Sequence, residues 1–387
     1  MFKISFIITG LSTGGAEMML FKLLSAINRK AFAPQVISLL DKGPMYDQFN
    51  EIDVPVETIG MSRGAPDPRG IFRLSRLLRR NPPHLVQTWM YHADLLGGLA
   101  AKLAGDMPII WNIRHSNLDP QIDKRSTILS AKACAVLSRF IPEKIICCAN
   151  ASKNIHATMG YDHSKLLVIP NGFELNSFKP DPRARHDVRD ELGLSESTKL
   201  IGLVSRFHPQ KDHKTFIQAA ARLKRTQPGV HFVLCGDGTA RANQVLSKWV
   251  TESGHEDSFH LLGHREDMSR ITAAFDIATS SSSSGEAFSN TIGEAMSCAV
   301  PCVVTDVGDS AYIIGDTGKV VPPSDPAALS DAWRTLLALG DDGRSRLGQA
   351  ARKRVSDCFS LGVVVKAYED LYSSLLIRTL PSVGKAS

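Results

Sequence analysis

The hydrophobic and polar positions along the chain predict two successive series of strands that alternate with helices. Short apolar runs typical of buried strands recur through the first half, with helical patterns between most of them. These runs are 3–9, 35–40, 54–59, 84–88, 108–112, 144–148 and 165–169. A second series follows at 199–205, 230–235, 259–262, 275–279 and 302–305. Because strands that alternate with helices form parallel sheets, the sequence predicts two doubly wound α/β domains.

A polar stretch with prolines predicts where the two series divide. The segment 168–172 (VIPNG) ends the first series, and 179–185 (KPDPRAR) is typical of a linker. We therefore expect one domain over 1–175 and a second over 176–359. The chain has 387 residues, which is enough for two domains that each bury a core.

The amino-acid composition indicates a globular protein without a membrane span. The hydrophobic fraction of 43% and the charged fraction of 22% are typical of soluble globular proteins. No apolar run approaches the length of a membrane span, and 1–10 is too short and too strand-like for a secretion signal. We therefore expect a cytoplasmic protein. Its seven cysteines have no metal-type spacing and are expected to be reduced thiols in the core.

The excess of positive charge lies in the first half of the chain. Residues 1–170 contain 20 Lys and Arg against 13 Asp and Glu, whereas the remainder contains 25 against 26. The densest part is a short helical pattern that includes four arginines, Arg73, Arg76, Arg79 and Arg80. Such a helix either rests on an anionic membrane surface or is an ordinary solvated face, and both interpretations stay open. Few aromatic residues and no recognition motif argue against nucleic-acid binding.

The segment 280–301 (SSSSSGEAFSNTIGEAMSCAVP) carries two acids, Glu286 and Glu294. The serines and the glycine end the preceding strand, and 288–298 predicts a helix. Glu286 then lies in a loop above a parallel strand and Glu294 lies within the helix, about 12 Å away or less. Each carboxylate could bind a sugar diol, while free amides at the helix start favour phosphate between them. A nucleotide sugar has this layout of hydroxyls, diphosphate and hydroxyls.

Two cations occupy the connection from the strand 199–205 to the next helix. They are Arg206 and Lys211, in the loop RFHPQKD. An arginine fork and a lysine point charge can neutralise a diphosphate and stabilise it as a leaving group. The alternative is a pair of solvated loop cations. The sequence contains no Asp-x-Asp motif, so a catalytic metal is not required if these cations replace it.

Further candidates follow strands of the first half. Gly14 and Gly15 allow close approach of the backbone at a strand end, although their spacing is not that of a dinucleotide fingerprint. His92 and His115 also follow strand ends, where open α/β sheets bind ligands. Each histidine could instead be an ordinary capping or core residue.

The Glu-x7-Glu spacing and the surrounding G-E-A-F-S-N-T-I-G-E-A-M…P-C-V-V-T-D-V-G-D resemble glycosyltransferase family 4, whose members are retaining enzymes of the GT-B fold. The resemblance implies two Rossmann-like domains that face each other across a cleft. It also implies that the first domain binds the acceptor, that a C-terminal helix over 360–380 packs back on it, and that the second domain binds the donor. Two positions depart from the family pattern, because Asp212 and Ala287 stand where glycine is common.

The resemblance implies a role for each candidate residue. Four would be catalytic: His115, Arg206, Lys211 and Glu286. Donor-binding residues would be Gly14, Gly15, Arg206, Lys211, Arg265, Glu286, Phe288, Ser289, Asn290 and Glu294. His92 would contact the acceptor, and no metal or other cofactor would be needed.

The expected reaction is transfer of a sugar, with retention of configuration, from a nucleotide diphosphate donor to an acceptor hydroxyl. Family frequency favours a UDP-sugar, and the acceptor would be a saccharide or a lipid-linked saccharide in surface polysaccharide, lipopolysaccharide or glycolipid assembly. The enzyme would then work in the cytoplasm, in part at the inner face of the membrane. Three alternatives stay open: a glycosidase, which the two cations disfavour, a nucleotide-sugar epimerase of the same architecture, and a noncatalytic nucleotide-sugar binder.

Overall fold

The computed structural model describes residues 1–62, 68–116, 118 and 124–379 and divides the chain into two compact units. Unit 1 contains Met1–Gly172 and the segment that begins at Leu361, and unit 2 contains Phe173–Ser360. Each unit is built on one parallel β-sheet with helices on both faces, as the alternating pattern predicts. The α/β fold class is confirmed. Within the described residues, none of the helices is sufficiently long and apolar to span a membrane.

Unit 1 contains a seven-stranded sheet in the order β3-β2-β1-β4-β5-β6-β7. Its strands are β1 (Phe2–Ile8), β2 (Phe32–Ser38), β3 (Val56–Thr58), β4 (Leu85–Trp89), β5 (Ile109–Ile113), β6 (Lys144–Cys147) and β7 (Leu166–Val168). Its helices are α1 (Gly15–Ala26), α2 (Tyr46–Glu51), α3 (Pro68–Arg80), α4 (Tyr91–Ala104), α5 (Arg125–Leu137), α6 (Asn150–Thr158) and α15 (Leu361–Thr379). Every strand overlaps its predicted apolar run.

Two core clusters lie on opposite faces of this sheet. One contains side chains of α1, α2 and α15, and the other contains side chains of α3, α4 and α5. The last helix is also held by polar contacts, because the Tyr372 hydroxyl donates to Gln87 and the Tyr368 hydroxyl accepts from Asn112 Nδ2 at 3.0 Å. All four side chains are buried, so the C-terminal helix is part of unit 1.

Unit 2 contains a six-stranded sheet in the order β10-β9-β8-β11-β12-β13. Its strands are β8 (Lys199–Val204), β9 (Val230–Cys235), β10 (Phe259–Gly263), β11 (Ile277–Ser280), β12 (Cys302–Thr305) and β13 (Gly318–Val321). Its helices are α7 (Pro182–Glu191), α8 (His213–Lys224), α9 (Gln244–Glu252), α10 (Met268–Ala273), α11 (Asn290–Ser297), α12 (Ser310–Ile314), α13 (Pro326–Ala338) and α14 (Gly340–Cys358).

The linker predicted over 179–185 is wrong in its second part, because helix α7 begins at Pro182. The Asp181 carboxylate accepts hydrogen bonds from the amides of Arg183 at 2.9 Å and Ala184 at 3.2 Å, and thereby caps the helix. A proline in the first turn of a helix loses no hydrogen bond, so here it starts a helix rather than breaking the chain. The two units divide earlier, between Gly172 and Phe173.

A buried ion pair fastens α7 to the sheet of unit 2. Arg189 is fully buried and donates to Asp276 Oδ2 at 2.7 Å and to the Ala274 carbonyl at 2.9 Å. The same Asp276 oxygen accepts from the Leu200 amide at 2.8 Å, at the start of β8. Both charges are therefore hydrogen-bonded, which compensates for the loss of their hydration.

We predict that Asp276→Ala lowers the free energy of unfolding by about 3–5 kcal/mol, because it leaves the Arg189 guanidinium buried without a counter-ion. The matched control is Asp331→Ala, which removes an exposed pair with Arg334 and should cost less than about 1 kcal/mol. Urea denaturation followed by circular dichroism measures both variants. Equal losses in the two variants would contradict the structural importance of the buried pair.

Candidate functional site

The strand order of unit 2 reverses between β8 and β11, which are hydrogen-bonded neighbours. In open α/β sheets, ligands bind outside the carboxyl ends of the strands at such a reversal. Arg206 and Lys211 lie in the connection after β8, and Glu286 lies in the connection after β11. The three predicted charged residues thus flank the place where this topology forms a crevice.

Lys211 and Glu286 form an ion pair across the two connections. The same Glu286 oxygen, Oε2, also accepts from the Ser282 hydroxyl at 3.0 Å. The side chain of Lys211 is 26% exposed and that of Glu286 is 12% exposed, so the pair is partly withdrawn from water but remains open to a ligand. An oriented cation and an oriented carboxylate are therefore adjacent, as binding of phosphate beside a hydroxyl requires.

The serine run holds the two connections together. The Ser281 hydroxyl donates to the Lys211 carbonyl at 2.8 Å, and the Ser283 amide donates to the Gln210 carbonyl at 2.8 Å. The Thr305 hydroxyl donates to the Ser282 carbonyl at 2.6 Å and so adds the end of β12 to the same structure. These serines were predicted only to end the preceding strand. The five consecutive serines at the end of a parallel strand are the feature of the sequence that could have indicated this role.

The backbone around Arg206 is positioned by the glycine turn that follows β9. A Cβ atom on Gly236 would lie only 2.3 Å from the Ser205 carbonyl oxygen, so no other residue fits this close approach. The Phe207 amide donates to the Asp237 carbonyl at 2.6 Å. The Arg206 side chain itself is exposed. Burial, followed by the charges of Arg206 and Lys211, lowers the pKa of His208 in the same loop.

Asp212 adopts the left-handed conformation, with φ of 45° and ψ of 54°. Glycine adopts this conformation without strain, which accounts for the family preference at this position. The aspartate compensates by capping α8, because its carboxylate accepts from the Thr215 amide at 3.1 Å and the Thr215 hydroxyl at 2.8 Å. It also accepts from the Ser324 hydroxyl at 3.1 Å. The departure from the family pattern is therefore accommodated within the loop.

The backbone of the glutamate loop is supported from the connection after β12. Gly308 has φ of 61°, and a Cβ atom there would lie 2.0 Å from the Glu286 carbonyl oxygen. The Asp309 amide donates to the Ala287 carbonyl at 3.0 Å. Gly308 and Asp309 were not predicted as individual site residues, because their contribution depends on a contact with another loop.

The helix predicted over 288–298 begins two residues later, at Asn290. The side chain of Ser289, at the position before the helix, makes no capping hydrogen bond to it. Amides at the start of a helix favour an anion. Asn290 lies at the first position of α11, and Glu294, which is half-buried, lies one turn later.

The Phe288 ring does not face this site. It is 5% exposed and stacks on Phe173, with ring centroids 6.0 Å apart, and it meets Phe359 edge-on at 5.6 Å. A Cβ atom on Gly293 would lie 2.0 Å from the Phe173 ring, so that glycine lets the aromatic group pack against α11. Any donor contact by Phe288 would have to use its backbone.

Arg265 is engaged elsewhere in unit 2. Its guanidinium pairs with Asp267 at 2.8 Å and with Glu191 at 2.6 Å, and Arg270 pairs with the same two carboxylates. These contacts hold the pKa of Asp267 well below its usual range, chiefly through the hydrogen bond from Arg265. A donor contact at this position would again come from the backbone.

The strand order of unit 1 also reverses, between β1 and β4, and the candidate residues of this unit lie near that reversal. Gly14 and Gly15 follow β1, His92 is the second residue of α4 after β4, and His115 follows β5. Since β1, β4 and β5 are consecutive neighbours in a parallel sheet, their carboxyl ends lie at one edge. Burial, followed by the charge of Lys124, lowers the pKa of His92.

A series of hydrogen bonds through Ser152, His156 and Tyr91 holds the backbone of His115. The His115 carbonyl accepts from the Ser152 hydroxyl at 2.7 Å, and the neighbouring His156 bonds through Nδ1 to the Ser152 carbonyl at 2.7 Å. The other ring nitrogen of His156 is 2.7 Å from the Tyr91 hydroxyl. Burial lowers the pKa of His156 to about 4, so this ring is neutral at pH 7. His156 was not predicted, because only its residue type marks it in the sequence.

The arrangement in unit 2 can bind a diphosphate with cations and amides while carboxylates accept hydrogen bonds from hydroxyls. In the portions of the chain described by the structure, no group of three or more His, Cys, Asp or Glu side chains could hold a metal ion.

Comparison with known sequences identifies the type of enzyme. The profile for "Glycosyltransferase Family 4" matches residues 13–177, and that for "Glycosyl transferases group 1" matches residues 198–339. The chain belongs to the family 4-like glycosyltransferases. This glycosyltransferase acts on nucleotide sugars.

Two relatives illustrate the range of this glycosyltransferase group. The UDP-Gal:α-D-GlcNAc-diphosphoundecaprenol α-1,3-galactosyltransferase of Escherichia coli is 26% identical over 319 residues, which is 81% of each chain. The N-acetyl-α-D-glucosaminyl L-malate synthase of Bacillus anthracis is 30% identical over 191 residues, which is 49% of each chain. The second match therefore spans about half the length of that relative.

Solved structures show the same fold for this glycosyltransferase. Anabaena Alr3699/HepE in complex with UDP superposes on this chain with a TM-score of 0.83, and the two sequences are 23% identical. The superposition covers 96% of this chain and 100% of the Anabaena chain. The complex of the same protein with UDP-glucose gives 0.80 and 22%, covering 97% of this chain and 100% of the other. The GT-B fold expected from the sequence resemblance is confirmed.

We predict that Asp212→Ala lowers the free energy of unfolding by about 1–2 kcal/mol, because it removes the α8 cap and keeps the left-handed backbone. Asp212→Gly should cost less than about 1 kcal/mol, because glycine relieves the strain that accompanies loss of the cap. Urea denaturation of both variants, with Lys214→Ala as a control on the same helix, measures the difference. Equal destabilisation by alanine and glycine would refute the argument from backbone strain.

Proposed function

We propose that the enzyme transfers a hexosyl or N-acetylhexosaminyl group from a UDP-sugar to an acceptor hydroxyl, with retention of anomeric configuration. The single observation that carries this proposal is the Lys211–Glu286 ion pair at the reversal of strand order in unit 2. It combines a cation for the leaving diphosphate with a carboxylate for the sugar hydroxyls, in a half-buried setting where both interactions gain strength.

The proposed roles follow the chemistry of each group. Arg206, Lys211 and the α11 amides hold the diphosphate, and Glu294 holds the ribose hydroxyls. Glu286 binds the sugar ring. The departing phosphate oxygen takes the acceptor proton on the same face of the sugar, so the protein acts by positioning and charge stabilisation. The cations provide the charge that a metal would otherwise supply, and we propose a metal-independent reaction.

Unit 1 is proposed to supply the acceptor side. His115 would contact the donor sugar beside the bond that breaks, and His92 would contact the acceptor. Gly14 and Gly15 would let the backbone approach the donor diphosphate. The hydrogen-bonded chain through Ser152 fixes the His115 backbone and supports this assignment.

The names of two similar proteins support the proposed classes of donor and acceptor. The E. coli relative is named for a UDP-galactose donor and a diphosphoundecaprenol-linked acceptor, and Anabaena Alr3699/HepE binds UDP and UDP-glucose. We propose a lipid-linked or saccharide acceptor in surface polysaccharide, lipopolysaccharide or glycolipid assembly. A cytoplasmic location at the inner face of the membrane would follow, with Arg73, Arg76, Arg79 and Arg80 near anionic headgroups. All four of these side chains are exposed.

Two alternatives use the same nucleotide-sugar site. An epimerase would interconvert donors without an acceptor, and a noncatalytic binder would turn nothing over. Incubation with a labelled UDP-sugar distinguishes them. The proposal expects UDP release that rises when a lipid-linked or saccharide acceptor is added. An altered sugar with donor alone, or binding without release across an acceptor panel, would overturn it.

We predict that Lys211→Ala lowers kcat by about a hundredfold or more, because removal of one preorganised group that stabilises transition-state charge costs roughly 3 kcal/mol. Lys214→Ala is the matched control, since Lys214 is exposed in the first turn of α8 and should leave kcat within about twofold. Steady-state UDP release measures both variants. Undiminished turnover in the Lys211 variant would end its catalytic assignment.

A further inference from the structure

The helices α3, α4 and α5 form one layer on a single face of the unit 1 sheet. They pack in sequence, α3 on α4 and α4 on α5. Their inner sides share one core cluster, to which they contribute Leu74, Leu78, Ala100, Ala131 and Cys134 among others. Their outer sides face solvent, and these outer sides carry two features that ordinary solvated helices do not combine.

The first feature is a set of large apolar side chains outside the core. Leu129 is 70% exposed, Val136 is 68% exposed and Phe140, just beyond the end of α5, is 71% exposed. Leu129 and Val136 are seven residues apart and therefore lie on the same side of α5. Phe72 of α3 is 67% exposed and Leu103 of α4 is 49% exposed. Several exposed large apolar side chains on one layer indicate an interaction surface.

The second feature is segregation of charge between the two helical layers of unit 1. The sequences of α3, α4 and α5 contain one carboxyl group, Asp94, which is fully buried. Their cations are Arg69, Arg73, Arg76, Arg79, Arg80, Lys102, Arg125 and Lys132. The opposite layer of α1, α2 and α15 carries five carboxyl groups: Glu17, Asp47, Glu51, Glu369 and Asp370. The opposite layer also contains three cations, Lys22, Lys366 and Arg378, so its helices have a net negative charge, whereas α3, α4 and α5 have eight cations against one carboxyl group.

We propose that the outer side of the α3–α4–α5 layer binds an anionic lipid bilayer. Leu129, Val136 and Phe140 enter the boundary between headgroups and acyl chains, while the α3 arginines contact lipid phosphates. Apolar residues interspersed with Lys and Arg match a membrane interface, which offers hydrocarbon next to negative charge. Nucleic acid would satisfy the cations but not the exposed leucine and valine.

This surface extends the proposed membrane contact from four arginines to three helices and supplies its apolar component. It does not rest on the proposed sugar transfer. Cations alone give an attraction that salt screens, whereas inserted side chains give binding that persists as ionic strength rises. The two components can therefore be separated by experiment.

Sedimentation with sucrose-loaded vesicles tests the proposal. We expect binding to vesicles that contain phosphatidylglycerol and much weaker binding to pure phosphatidylcholine. Leu129→Ser/Val136→Ser/Phe140→Ser should lower the partition coefficient roughly tenfold or more. Arg76→Gln/Arg80→Gln should also lower it roughly tenfold at low salt. The control, Val363→Ser/Ile377→Ser on the opposite layer, replaces residues that are 44% and 65% exposed and should bind as wild type does.

Unchanged partition of the triple variant, with an unchanged melting temperature, would overturn the proposal. If the triple variant does not fold, Phe140→Ser alone serves, because Phe140 lies outside the helices. The proposal would also be overturned if the wild type forms a dimer and does not bind vesicles while the triple variant is a monomer. That result would assign the surface to contact with a second copy of the chain. UDP release from the donor alone, measured on the same preparations, keeps failure of membrane binding distinct from failure of sugar transfer.

Discussion

The contact between the Lys211 ammonium and the Glu286 carboxylate is the interaction on which the proposed donor site depends. It joins the two connections that leave neighbouring strands on either side of the reversal in strand order. Serine hydroxyls and backbone amides then fix both loops, so each charge has a defined direction before any ligand arrives. Preorganisation of this kind is how charged groups contribute to catalysis without a cost of reorientation during the reaction.

Much of the fold was predictable because parallel α/β structure has a strong local signal. Every strand of unit 1 overlaps a predicted apolar run, since buried strands of a parallel sheet are apolar on both faces. The errors occurred where local signals were ambiguous. Pro182 is the first residue of α7 because Asp181 caps the helix there, and the short strand β13 has only one buried residue. The α14 helix was not predicted, because its sequence is mostly polar.

The candidate site was predictable in its charged residues and not in its supporting contacts. Arg206, Lys211 and Glu286 could be selected because the carboxyl ends of parallel strands meet at one edge. The supports come from distant segments, as Gly308 does for Glu286 and Gly236 does for the Arg206 loop. A glycine required by a second loop has no local signature. Asp212 shows the converse, because capping explains an aspartate where the resemblance led us to expect glycine.

Hydrogen–deuterium exchange of the backbone amides, with and without UDP, tests the central claim most directly. The account predicts slower exchange with UDP in two segments, 205–212 and 282–293, because the nucleotide diphosphate contacts the Lys211 loop and the start of α11. It also predicts that Lys211→Ala reduces this protection. Unchanged exchange in both segments, at UDP concentrations that raise the melting temperature, would contradict the claim that the Lys211–Glu286 pair marks the donor site.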